Sequence, residues 1–182
     1  MDKRQLKFLE FVPLILYFTF ARAAGADSAG RQWEIAFVVG GVLSLATLSV
    51  LMRHKAYILN RVMLGANLFL ITGAVAVLLR FLPLLDLYRT YNPAPMFFWV
   101  IAVGVVTSLF SPHGFIGSAD PYRKRNYVRS ALLMAAATLA LGISLFFMEK
   151  IVYADILPFI GLFIVNDRLQ SRVSDRSGPR NP

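Results

Sequence analysis

His113 has Ser111, Ser118 and Asp120 close by in the chain, the residue types of a nucleophilic triad. Nucleophilic catalysis, however, needs the serine on a sharp strand-to-helix elbow, and no Gly-x-Ser-x-Gly pattern is present. Pro112, Gly114 and Gly117 make this stretch an ordinary turn instead. The other histidine, His54, has no paired His or carboxylate at metal-ligand spacing on one helix, so no metal site is expected. With no cysteine in the chain, disulfides, thiolate catalysis and thiolate-bound metals are excluded. Neither a phosphate-cradling Gly-x4-Gly-Lys-Ser/Thr run nor an Asp-rich loop occurs. No catalytic residue and no cofactor is expected, and the sequence supports no enzyme class.

The polar residues that remain lie inside apolar blocks: Glu10, Asn67, Arg80, Asp155 and Asn166. Such groups are costly in hydrocarbon and usually face a bundle interior or an aqueous pocket. Arg80 and Asp155 are near enough to block ends to reach headgroups. Asn67 sits mid-block, beyond reach of water, and is expected to make an interhelical hydrogen bond before a substrate contact. Glu10 to Pro13 and Asp155 to Pro158 share an acid-x-x-Pro opening.

The elements that must position these groups follow from composition. Of 182 residues, 57% are hydrophobic and only 16% charged, against about 25% charged in soluble domains. The apolar residues fall into blocks that predict an all-α bundle of six transmembrane helices, near 8–24, 35–52, 57–82, 96–110, 130–148 and 153–166. Residues 1–167 form one transmembrane domain, and 168–182 a basic, disordered tail. The first block resembles a signal peptide, yet Glu10, Pro13 and Arg22 argue for a retained helix, with Pro13 read as lying near its start. Gly40, Gly41 and Ser44 in the second block, and Ala131, Ala135, Thr138 and Gly142 in the fifth, are expected to be close-packing faces. The segment from Pro83 to Pro95 reads as an interfacial loop, with room for a short surface helix.

Orientation comes from the cationic loops. With both termini inside, fourteen of the nineteen Lys and Arg residues fall on the inner side and five outside, as the positive-inside rule requires. Trp33 and Trp99 then both lie at the outer interface. The densest cluster, Arg123, Lys124, Arg125 and Arg129, and the tail residues Arg168, Arg172 and Arg176 are expected to contact anionic lipid headgroups. The net charge of +9 is thus assigned to a bilayer surface and not to nucleic acid, for which no base-reading module is present.

The stretch Lys7-Phe8-Leu9-Glu10-Phe11-Val12-Pro13-Leu14 resembles the opening Phe-Asp-Phe-Leu-Pro of the intracellular septation protein A family of bacterial inner-membrane proteins. Ala140-Leu141-Gly142 fits the same family, as do the length, the basic start and the basic tail. Thr72-Gly73-Ala74-Val75 stands where the family has Gly-Gly-Leu-Thr, and Asn92-Pro93-Ala94-Pro95 where it has Lys-Trp-Lys-Pro. The resemblance implies a non-enzymatic role in envelope maintenance or cell division, through contacts with other membrane proteins. A second reading of the layout is a solute-transport component, such as the six-helix substrate-binding subunit of a vitamin importer. It would need Arg80, Asp86, Tyr88 and Asp155 around a pocket open to the outer face.

Overall fold

The computed structural model describes residues 3–23, 29–54, 59–91, 93–111, 114–117, 123–148 and 152–174. Among these, every regular element is helical: α1 (Lys3–Ala23), α2 (Ala29–Arg53), α3 (Arg61–Leu78), α4 (Leu82–Tyr91), α5 (Ala94–Phe110), α6 (Arg123–Phe146) and α7 (Leu157–Ser174), with a π-helical turn, Val152–Ile156, leading into α7. Residues α2 32–53, α3 61–78 and α6 126–146 are each long and apolar enough to cross a membrane. A fourth crossing is added if α4 and α5 are one broken span. Helices satisfy their own backbone hydrogen bonds, which is why apolar segments in lipid take this form.

Proline marks where several helices begin. Pro83 and Pro95 are each the second residue of α4 and α5, where the missing N–H had no partner to lose, and Pro158 is the second residue of α7, directly after the π turn. Pro158 also explains the π turn before it, because its ring cannot accept a regular turn on its N-terminal side. Pro13 is the exception to the expectation above. Helix α1 starts at Lys3, so Pro13 lies in its interior and is buried.

The bundle closes in sequence order. The main contacts run α1–α2, α2–α3, α3–α5, α5–α6 and α6–α7, with α4 against α3 and α5. Glycine permits the closest approaches. A Cβ on Gly41 would lie 2.3 Å from the Ala74 Cβ, and one on Gly65 would lie 2.5 Å from the Val100 Cα. The core between these helices is aromatic: Phe37 packs on Tyr17 (4.8 Å between centroids), Trp33 (4.7 Å) and Phe69 (5.1 Å). Residues such as Leu45, Leu109, Leu139 and Phe146 turn outward and are exposed, as lipid-facing side chains of a membrane bundle are.

Four expectations change in the folded chain. The small stripe on α6 faces out: Ala131, Ala135, Thr138 and Gly142 are all exposed, and nothing lies within 4 Å of a Cβ placed on Gly142. The third span ends at Leu78 and not near residue 82, because Arg80 at a φ of 51° turns the chain into the short helix allowed for in the next segment, ten residues long. The basic cluster from Arg123 to Arg129 is the helical start of α6 and not a loop. The region expected to be a disordered tail stays helical through Ser174, while Arg176 lies outside the described residues.

Candidate functional site

One polar cluster joins four parts of the chain. Asn60 caps α3, its side chain accepting from the Val62 N–H, and its own backbone N–H donates to Glu10 Oε1 of α1 at 3.0 Å. Asn166 Nδ2 of α7 donates to the same Asn60 oxygen at 3.4 Å. One turn further along, Gln170 Nε2 donates to the Ile116 carbonyl at 3.0 Å. Glu10 and Asn166 are each 2% exposed. Two residues singled out from the sequence in different blocks are therefore held together by a third, Asn60, whose role as a helix cap was not foreseen. The sequence signal was an Asn directly before a helical run.

The turn 114–117 forms the wall beside this cluster. Gly114 and Gly117 have positive φ, 58° and 66°, which glycine adopts without steric cost. A Cβ on Gly114 would come within 2.5 Å of the Ser130 Oγ. This geometry tucks Phe115 and Ile116 into the bundle at 1% exposure each, with the Ile116 N–H directed to Ser130 Oγ at 3.4 Å. Nearby in sequence, Arg61 Nη2 donates to Ser111 Oγ at 2.8 Å, tying α3 to the end of α5. Residues His113, Ser118 and Asp120, considered above as triad types, lie outside the described residues.

A second cluster gathers at the other end of the bundle. Trp99 Nε1 donates to the Tyr88 hydroxyl at 2.6 Å, and Thr72 Oγ1 lies 2.7 Å from the same oxygen. Tyr88 stacks on Phe69 at 5.1 Å and is the buried residue of α4. Asp155, 3% exposed, sits on the π turn within electrostatic reach of the Tyr17 hydroxyl, which also has the Trp33 indole beside it. Between the two clusters, Ser44 Oγ of α2 donates to Asn67 Oδ1 of α3 at 2.8 Å, and Asn67 Nδ2 donates to the Met63 carbonyl at 2.9 Å. Asn67 thus makes an interhelical bond, and Ser44 of the expected small face is its partner.

The remaining candidates do not converge. Arg80 and Asp86 are exposed, whereas Tyr88 and Asp155 are buried in separate contacts. Arg168 is exposed on α7. Arg129 is 8% exposed, on the same face of α6 as the buried Asn126 at i−3. Arg123, Lys124, Arg125 and Arg172 have helical backbone, and their side chains lie outside the described residues. No group of three His, Cys, Asp or Glu side chains that could hold a metal occurs among the described residues.

What this arrangement does chemically is fasten helices. Each buried polar side chain with a resolved partner bonds to another helix, a cap or a turn. No protein-family profile, curated protein or solved structure matches the chain.

Proposed function

We propose that the protein is a multi-pass inner-membrane protein of a bacterium, with six crossings, both termini cytoplasmic and no catalytic activity, acting in envelope maintenance or cell division through contacts with other membrane proteins. The observation that carries this reading is the use made of the polar side chains. Glu10, Asn60, Asn67, Ser44, Asn166 and Tyr88 are engaged in contacts between segments, which leaves them committed to architecture. The six-crossing topology is supported by where the clusters fall. Glu10, Asn60, Ser111 and Asn166, all near cationic connectors, gather at one level, and Trp33, Tyr88, Trp99 and Asp155 at the other. An importer would need Arg80, Asp86, Tyr88 and Asp155 around one hollow, and their divergent exposure favours the scaffold.

Two measurements test it. In intact cells, a cysteine at His54 should resist a membrane-impermeant maleimide and one at Tyr91 should react. Both positions are exposed, so burial does not confound the comparison. External labelling at His54 would reverse the topology. For the role of Asn67, Asn67→Leu should fold and lose about 1 kcal/mol of stability, the scale of interhelical hydrogen bonds in membranes. If instead assembly were unchanged and uptake of a solute disappeared, Asn67 would be a ligand group and the scaffold reading would fall.

A further inference from the structure

The seam between α1 and α7 differs from the others around the bundle. Extended backbone packing joins α1 to α2 and α7 to α6 but not α1 to α7 among the described residues, and α1 touches α7 through Phe11, edge-on to Phe163 at 5.1 Å. Two hollows occupy this seam. One, of about 50 Å³, is polar and bordered by Lys7 and Glu10 of α1 and by Asn166 and Asp167 of α7. The other, of about 180 Å³, runs between Leu14 and Phe18 on one side and Phe159 and Ile160 on the other, with almost wholly apolar walls. Phe11 lines both, so a polar hollow and an apolar one adjoin along the seam on either side of that ring.

The chemistry of the polar end is specific. It carries both signs, the Lys7 ammonium and the carboxylates of Glu10 and Asp167. A complementary ligand therefore needs an anionic and a cationic centre at one end and hydrocarbon at the other. Side-chain amide and carboxylate oxygens reward a cation that can donate hydrogen bonds, and a small hollow disfavours one wrapped in methyl groups. Anionic lipid satisfies Lys7 but meets the Asp167 carboxylate with like charge.

We propose that the α1–α7 seam binds one phospholipid whose headgroup carries a primary ammonium, of the phosphatidylethanolamine class. Its phosphate pairs with Lys7, its ammonium lies at Asp167, and an acyl chain lies along Phe11, Leu14 and Ile160. The site rests on the six-crossing reading, which puts the polar hollow at the inner headgroup level. A lipid there fills the seam that the protein's own helices leave open.

The test uses the full chain purified in mild detergent, with co-purifying lipids quantified by mass spectrometry after exchange against an equimolar mixture of phosphatidylethanolamine, phosphatidylcholine and phosphatidylglycerol. Wild type should retain phosphatidylethanolamine in preference to the other two. Ile160→Trp, which fills the groove from an exposed position, should lower that retention at least about fivefold. Lys7→Ala with Asp167→Ala removes two exposed charges and should abolish the preference while leaving the melting temperature of lipid-stripped protein unchanged. Equal retention of the three lipids by wild type would overturn the proposal, as would unchanged retention in Ile160→Trp, or a cross-link at Ile160 to a second copy. Orientation is read separately by the labelling of His54→Cys, so failure of the topology and failure of the lipid site are distinguishable.

Discussion

Gly65→Ala should lower the apparent melting temperature of the detergent-solubilised protein by about 6–12 °C, from an overpacking cost of about 3 kcal/mol. The added Cβ would stand 2.5 Å from the Val100 Cα and 2.8 Å from the Val100 nitrogen. Those are backbone atoms and cannot rotate away, so α3 and α5 would have to move apart. Packing of α3 on α5 forms one of the central contacts of the bundle, and in lipid no hydrophobic force between helices compensates for lost van der Waals contact. Gly142→Ala is the matched control. Nothing lies within 4 Å of its Cβ, and removing a mid-helix glycine gains up to about 1 kcal/mol of helix propensity. Melting of Gly65→Ala within a degree of wild type would show that α3 and α5 are not apposed as described.

Glu10→Leu should cost about 1–3 kcal/mol, the penalty for leaving a desolvated donor without its acceptor. The donor is the Asn60 N–H, 3.0 Å from Glu10 Oε1, at the residue that also caps α3 and meets Asn166. Loss of the carboxylate therefore loosens α1, the start of α3 and α7 together. Glu10→Gln keeps an acceptor oxygen at the same reach and should cost much less. Thermal unfolding of the two variants side by side separates the hydrogen bond from the charge. If Gln were as damaging as Leu, the negative charge and not the accepted bond would be what the site requires.

Much of the layout was legible because a bilayer imposes length and hydropathy on each crossing. The blocks near 35–52 and 96–110 correspond to α2 and α5 within a few residues at their C-terminal ends. Asn67 was legible as an interhelical group, since an amide amid apolar residues has few other partners. Facing was not legible. Helices surrounded by lipid and protein are apolar on all sides, so no amphipathic stripe points to the core. For that reason Gly40, Gly41 and Ser44 turned inward as expected while the equally small stripe of α6 turned out. The burial of Phe115, Ile116 and Arg129 was not legible either, because a glycine turn and an arginine usually mark a surface.

Composition and the order of the blocks alone determined that this chain is helical, that several of its helices suit a membrane, and which residues would be costly to bury. Tertiary structure decided which costly residues meet: Glu10 with Asn60 and Asn166, Ser44 with Asn67, Tyr88 with Thr72 and Trp99. The division has a physical cause. Transfer of a segment into lipid depends on its own residues summed one by one, whereas a hydrogen bond or a glycine contact depends on two surfaces far apart in the chain, and no single segment carries that information.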